Sequence, residues 1–412
     1  MKTLQVSQDA DSRYAWTRLW FALALMTIGG SGMYSMAVVL PPLQAEFGIA
    51  RADASLPFTL TMIGFALGSV LMGRLSDRFG VIVPVLVGSV SLGSGFIAAS
   101  FSQNLLQFTA IHGLLIGIGT SGTFVPLVAD ITLWFTRRRG VAVAVVMSGN
   151  YLAGTVWPPL MQHFIDTAGW RMTYMGTGLI CLFSMPLLAL ALRRRPPAIA
   201  GLAPLGAGAR AASSNPERPL GFSPNQLQGL LCVSGVACCV AMSMPQVHMV
   251  AYCADLGFPA ARGAEMLALM MGFGIVSRLA SGWIADHIGG LRTLLLGATL
   301  QATALALFLP FDGLVVLYVV SALFGLFQGG IVPSYPLIVR EYFSPREAGT
   351  RTGTVIMATL VGMALGGWMP GWIFDVTGSY RAAFVNGIAW SLVTTTIALF
   401  LIYRARHLTV AA

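Results

Sequence analysis

The sequence is short of charge. Asp, Glu, Lys and Arg make up 9% of its 412 residues, whereas a soluble domain usually has about 25%. Together with 56% hydrophobic residues, this shortage indicates that lipid is the solvent for most of the chain. The net charge of +9 does not predict nucleic-acid binding, because the basic residues lie in short clusters between apolar runs.

Groups for catalysis are also scarce. The five cysteines lie inside or at the end of apolar segments without metal-ligand spacing or a disulfide pattern, so we interpret them as packing residues. The chain has no Gly-x-x-x-x-Gly-Lys loop for ATP, no His-rich cluster and no paired carboxylates in its apolar runs. We therefore predict no enzyme activity, no cofactor and no metal site.

What the sequence does contain is twelve apolar runs of 18 residues or more, long enough to cross a bilayer. They lie near residues 18–42, 56–75, 81–101, 105–131, 141–163, 172–192, 226–253, 264–285, 291–310, 314–339, 352–374 and 382–403. The interval 193–225 has the composition of a linker. This predicts an all-α membrane protein with an N-terminal six-helix bundle (1–192), a cytoplasmic linker (193–225) and a C-terminal six-helix bundle (226–412).

The basic residues lie mainly on one side. Of the 24 Lys and Arg residues, 19 (Arg18 among them) fall on the side of the chain termini, four fall on the opposite side, and Arg278 lies within span eight. Loops rich in Lys and Arg stay in the cytoplasm, so both termini are predicted to be cytoplasmic.

The two halves repeat. Gly73, Asp77 and Gly80 recur 209 residues later as Gly282, Asp286 and Gly289. Asp166 and Gly169 recur at the same offset as Asp375 and Gly378. A constant offset over most of the chain indicates a duplicated unit. Six spans per unit keep both copies in the same orientation, which predicts parallel repeats related by an axis along the membrane normal.

The loops "GRLSDRFG" (73–80) and "GWIADHIGG" (282–290) resemble the signature Gly-x-x-x-Asp-(Arg)-x-Gly of the major facilitator superfamily. The stretch "WFTRRRGVAVAVVMSGNYLAG" (134–154) resembles the monocarboxylate transporter and oxalate–formate antiporter branch. These resemblances imply twelve helices, secondary active transport and a bacterial cytoplasmic membrane. In that branch the matching arginine of span eight binds the substrate carboxylate, a role that Arg278 inherits by resemblance.

The residues themselves also point to Arg278. An arginine deep in the hydrocarbon core costs at least about 2.5 kcal/mol, so it is expected to face a cavity or a partner. No acid lies within four residues of it along the span. One alternative is a structural pair with an acid on another span, such as Asp130. The interpretation we favour is an anion site, since guanidinium offers a planar fork that matches a carboxylate. One buried cation suits a monoanion better than a dianion.

Polar and aromatic residues of other spans are candidates for the same site. Each alone is more often an interhelical hydrogen bond than a ligand, and the "GGSG" of residues 29–32 is equally explained as a helix-packing device. As a set they suit a midplane cavity with one charge. The candidates are Tyr34, His112, Asn150, Tyr151, Gln246, His248, Gln328 and Tyr335.

Charged residues at the cytoplasmic span ends are candidates for gating between the two halves, with topology and capping as the alternative. They are Asp77, Arg78, Arg138 and Asp286. His248 could carry a proton, but a packing role is the other interpretation, and anion exchange needs no protonatable group.

The predicted partners are a small organic anion, a co-transported proton or counter-anion, and the lipid bilayer, with no nucleic acid and a monomeric chain. Two other classes stay open at this point. A channel fits two parallel repeats with one interfacial charge less well than alternating access does. A membrane sensor that binds without transport would normally carry a soluble output domain, for which 193–225 is too short.

Overall fold

The computed structural model describes residues 11–135, 138–194, 219–344 and 347–410, and nearly all of them are helical. Twelve helices in these ranges are long and apolar enough to cross a membrane, which confirms the predicted spans. Most helices extend beyond the predicted limits, because the helix continues from the apolar window into polar ends. They are α1 (Arg13–Phe47), α2 (Arg51–Phe79), α3 (Ile82–Ser100), α4 (Leu105–Trp134), α5 (Arg139–Ala168), α6 (Trp170–Leu192), α7 (Pro224–Asp255), α8 (Ala260–Ile288), α9 (Gly290–Leu307), α10 (Leu314–Tyr342), α11 (Ala348–Thr377) and α12 (Tyr380–Val410).

The chain divides into two compact units. Unit 1 takes in Met1–Leu202 together with Met249–Ala268, and unit 2 takes in Ala203–His248 together with Leu269–Ala412. Unit 1 therefore holds α1 to α6 with the end of α7 and the start of α8. The division into bundles at 193–225 stays a prediction, and residues 195–218 of that interval lie outside the described residues.

One extensive helix contact recurs in both units. In unit 1 α3 packs along α6, and in unit 2 α9 packs along α12, which are the same helices of the repeat. Glycines at the repeated loops also have positive φ angles. Gly80 and Gly289 share one conformation, with φ of 79° and 84° and ψ of 176° and 163°. Gly169 and Gly378 have φ of 82° and 69° but differ in ψ, at 159° and 10°. The sequence echo thus has a conformational cause, because only glycine adopts these angles without strain.

Three helices are interrupted near their middle. α1 breaks at Gly30, α4 is π-helical over His112–Gly117 and breaks at 122–124, and α10 breaks at Gly329 and Gly330. The breaks in α4 and α10 lie at corresponding places of the repeat. By contrast, α7 runs without interruption although it contains Pro245.

Glycines let helices approach at matching places of the two repeats. A Cβ atom on Gly117 of α4 would overlap the backbone carbonyl of Thr61 on α2, and a Cβ on Gly325 of α10 would overlap that of Met270 on α8. A backbone carbonyl cannot rotate away as a side chain can. These glycines are therefore fixed by packing.

We expect Gly325→Ala to lower the free energy of unfolding by about 1–3 kcal/mol, the usual cost of overpacking. The thermal unfolding midpoint of the purified protein in detergent measures this. Gly353→Ala on α11 is the matched control, because a Cβ there meets nothing within 4 Å and alanine favours the helix. Equal midpoints for the two variants would show that the close approach of α8 and α10 is not a constraint.

Candidate functional site

Arg278 lies well inside α8. At a rise of 1.5 Å per residue it is roughly 15 Å from the helix end at Ile288 and roughly 27 Å from the start at Ala260. Its side chain is partly buried. The acids of the same helix lie near its two ends, where Glu265 pairs with Arg262 at 3.0 Å and Asp286 is exposed. The position of Arg278 agrees with the expectation of an intramembrane cation.

Asp130, the alternative partner for Arg278, is engaged elsewhere. Arg18 donates from Nε to Asp130 Oδ2 at 2.7 Å and from Nη2 to Oδ1 at 2.8 Å. The two side chains are 1% and 6% exposed. The Trp134 ring lies 4.7 Å from the guanidinium carbon, and Tyr14 Oη accepts from Arg18 Nη1 at 3.3 Å. Both Asp130 oxygens are therefore used within unit 1.

This pair gives Arg18, counted above only among the basic residues on the side of the chain termini, a structural partner that the sequence analysis did not predict. Arg18 is a buried residue of α1 and holds α1 against α4. The signal that could have found it is depth, because Arg18 and Asp130 both lie close to the ends of their helices on the side of the chain termini.

Two amides meet in unit 2 next to the break in α10. Gln246 Nε2 of α7 donates to Gln328 Oε1 at 3.3 Å. Gln328 is fully buried, and its Nε2 has no hydrogen-bond partner among the described residues; the same holds for the buried hydroxyl of Ser243, one turn before Gln246. Buried polar groups normally have a partner. The Gln328 amide can therefore donate to a bound molecule or water, and the Ser243 hydroxyl can donate or accept. Sequence analysis missed Ser243 because a lone serine in an apolar run gives no signal.

His248 and Tyr335 bind other helices of unit 2. His248 Nε2–H donates to the Gly367 carbonyl at 2.8 Å, and its Nδ1 lies 2.8 Å from the Tyr380 hydroxyl. The Tyr335 hydroxyl lies 3.0 Å from Ser234 Oγ. All of this is fully buried. These contacts favour the interpretation that both residues form hydrogen bonds between helices.

In unit 1, Tyr34 follows the break in α1 and is buried. A Cβ on Gly30 would overlap Ala153, and one on Gly32 would overlap Thr120. The glycines before Tyr34 thus serve close helix packing, as the alternative interpretation had it. Asn150 and Tyr151 of α5 are half-buried and buried, and Asn150 lies beside the break at Gly30.

His112 lies inside unit 1. Its Nδ1 is 3.1 Å from Thr61 Oγ1 and its Nε2 is 3.3 Å from the Tyr174 hydroxyl. The Thr61 hydroxyl already donates to the Pro57 carbonyl at 2.7 Å. The network therefore assigns Nδ1–H as the donor to Thr61 and Nε2 as the acceptor from Tyr174. A neutral imidazole with both nitrogens hydrogen-bonded to neighbouring helices is typical of a histidine with a packing role.

The four predicted gating residues, Asp77, Arg78, Arg138 and Asp286, are all exposed, and none forms an ion pair with another described residue. Asp77 lines a cavity of about 520 Å³ in unit 1, with the Arg18–Asp130 pair in its wall. Gating by these residues stays a prediction. Within the described ranges, no group of three His, Cys, Asp or Glu side chains is placed to hold a metal ion.

Comparison with known proteins bears on the whole chain. Residues 19–316 and 282–411 match the family described as Major Facilitator Superfamily. Monocarboxylate transporter 13 of Rattus norvegicus is 30% identical over 349 residues, which cover 82% of this chain and 76% of the relative. Monocarboxylate transporter 11 of Mus musculus is 27% identical over 386 residues, covering 91% and 84%. These relatives are transporters, which confirms that the chain belongs to a non-enzymatic class.

A solved structure agrees in fold. A bacterial homologue of the human lysosomal transporter Spinster, in an inward-facing and unoccupied conformation, superposes with a TM-score of 0.72 at 14% identity over 96% of this chain and 98% of that one. The twelve membrane helices, the repeated loop glycines and the family match lead to one conclusion: the chain is an integral membrane transporter of the Major Facilitator Superfamily, and it resembles the monocarboxylate transporter branch.

Proposed function

We propose that the protein moves a small organic anion, with a monocarboxylate favoured, across the membrane by alternating access, and that Arg278 anchors the carboxylate. The observation that carries the proposal is the position of Arg278 inside α8, about 15 Å from the nearer helix end. A cation at that depth is costly and is retained for a function. The names of the relatives, monocarboxylate transporters 13 and 11, support the substrate class.

The charge on α8 supports a monoanion. Between Glu265 and Asp286 the helix has Arg278 as its one charged residue, and Asp130 is held by Arg18. A monocarboxylate brings one negative charge to one guanidinium, while a second carboxylate would stay uncompensated at low dielectric. Arg278 can bind both carboxylate oxygens in parallel, which fixes the orientation of the anion.

The remaining binding groups differ in how far their contacts support a ligand role. Gln246 and Gln328 of unit 2 support it, because the Gln328 amide keeps an unused buried donor. Tyr34 follows the break of α1 and Asn150 lies beside it, while Tyr151 is the buried residue next to Asn150 on α5. We propose structural roles for His112, His248 and Tyr335, whose polar atoms are bonded to neighbouring helices.

Uptake into proteoliposomes tests the proposal. Labelled lactate, pyruvate and formate are presented with and without an inward proton gradient, and empty liposomes provide the background. We expect accumulation of at least one monocarboxylate above that of succinate and oxalate. Binding without accumulation would overturn transport in favour of a sensor. Uptake only against internal anion would favour exchange of the oxalate–formate type, although 352–374 has no lysine such as those carriers have in span eleven.

Location and orientation are part of the proposal. The excess of Arg on the side of the termini supports cytoplasmic termini, and we propose a bacterial cytoplasmic membrane and a monomer. A proton or a counter-anion is the proposed coupled species. Protease access to a tag after residue 412 in sealed cells and in inverted vesicles distinguishes the two orientations.

A further inference from the structure

An ion pair joins the two sequence repeats at one face of the molecule. Arg51 is the first residue of α2 and Asp255 is the last residue of α7. By the order of the spans, both helix ends lie on the face opposite the chain termini. Arg51 Nη2 donates to Asp255 Oδ1 at 3.1 Å, and Nη1 contacts Oδ2. The Nε donates to Gln44 Oε1 of α1 at 3.2 Å, so one guanidinium holds three helices.

Five other ion pairs between described residues each stay within one repeat. Glu46 and Arg171 join α1 to α6, and Arg262 and Glu265 are three residues apart on α8. The Arg51–Asp255 pair instead links the second helix of the first repeat to the first helix of the second. Repeats that rock against each other must separate their helix ends on each face in turn. A contact between repeats at such an end is where closure is made and broken.

The part of α7 that leads up to Asp255 is buried. Met249–Ala268, which contains the end of α7 and the start of α8, belongs to unit 1 together with α1 to α6. Every residue from 237 to 253 of α7 is buried. Cys253, two residues before Asp255, is fully buried, and its thiol lies 3.5 Å from Met266 Sδ of α8. Access to Cys253 therefore reports on opening of this face.

The pair is also suited to breaking. The Arg51 side chain is 10% exposed and that of Asp255 is 32% exposed, so water can take over the carboxylate at a modest cost. Glycines with φ angles of 60° and 83°, Gly48 and Gly257, lie beside the two residues in the adjoining loops. Loop positions of this kind absorb backbone change when helix ends move.

We propose that Arg51 and Asp255, with Gln44 as support, form the gate that closes the face opposite the chain termini and opens once in each transport cycle. The proposal rests on the alternating-access part of the proposed function. It needs neither the identity of the substrate nor the role of Arg278.

Maleimide labelling of the purified full-length protein, quantified for each cysteine by peptide mass spectrometry, tests this gate. We expect Arg51→Gln and Asp255→Asn each to speed the labelling of Cys253 about fivefold or more, the factor expected when a favourable contact of roughly 1 kcal/mol is lost. Labelling of the buried Cys181 and Cys239 should not change. The exchanged variant with Arg51→Asp and Asp255→Arg should return Cys253 to slow labelling.

The matched control is Arg262→Gln with Glu265→Gln, an exposed pair on the same face of the chain, which should leave Cys253 unchanged. Unaltered labelling of Cys253 in both single variants would overturn the gate. So would faster labelling of all buried cysteines together, which is general unfolding. The labelling experiment contains no substrate, so its result does not depend on the uptake experiment. If Cys253 responds as expected but no monocarboxylate is taken up, the gate is supported and the proposed substrate is rejected.

Discussion

Arg278→Lys is expected to remove most of the thermal stabilisation that a monocarboxylate gives to the purified protein. Lysine keeps the positive charge but lacks the planar fork that donates two parallel hydrogen bonds to a carboxylate. We expect the apparent affinity to fall about tenfold or more, equivalent to ~1.4 kcal/mol. A ligand that binds only the folded state raises the unfolding temperature with its concentration, so unfolding curves over a series of monocarboxylates and dicarboxylates measure the change.

The control for this substitution is Arg292→Lys at the start of α9, where the side chain is exposed. That variant should bind like the wild type. If a monocarboxylate stabilises Arg278→Lys and Arg278→Ala as well as the wild type, the arginine is structural. The anion site then fails, and a neutral or cationic substrate becomes the leading idea.

Arg18→Ala is expected to lower the free energy of unfolding by about 3–5 kcal/mol, because it leaves the Asp130 carboxylate buried without its cation. Asp130→Ala should cost a similar amount for the converse reason, and it also removes the partner that holds Arg18 under Trp134. Denaturation of the purified protein followed by tryptophan fluorescence and circular dichroism measures both losses.

The double variant Arg18→Met with Asp130→Leu separates charge from packing. Apolar residues of similar size need no counter-charge, so we expect the double variant to recover most of the stability lost by either single one. The exposed Arg262–Glu265 pair, with side chains 50% and 43% exposed, is the comparison, and its removal should cost no more than about 1 kcal/mol. If Arg18→Ala and Asp130→Ala also lower the free energy of unfolding by no more than about 1 kcal/mol, the buried pair contributes little to stability.

The fold was largely predictable because its main determinant is local. Whether a segment crosses the membrane depends on its own length and apolarity, so hydropathy along the chain was enough to find all twelve helices. The repeat was equally accessible, since Gly80 and Gly289 must be glycine to adopt their backbone angles. Family membership followed from the same loops.

The interiors of the helices were less predictable. Residues such as His112, His248 and Tyr335 have the chemistry of ligands, but a polar atom in a membrane helix is satisfied by whichever helix lies beside it. His112 meets Tyr174, 62 residues away, and His248 meets Tyr380, 132 residues away. Periodicity on one helix cannot identify those partners.

The sequence by itself therefore determined the class of protein, its spans, its duplicated architecture and the depth of Arg278. Only the tertiary structure decided which charges are paired. It showed Arg18 to be the buried partner of Asp130, and it brought Arg51 together with Asp255 across 204 residues of chain. The physical reason is that hydropathy is a property of a segment, whereas the free energy of a buried charge depends on a counter-charge that the fold brings from elsewhere.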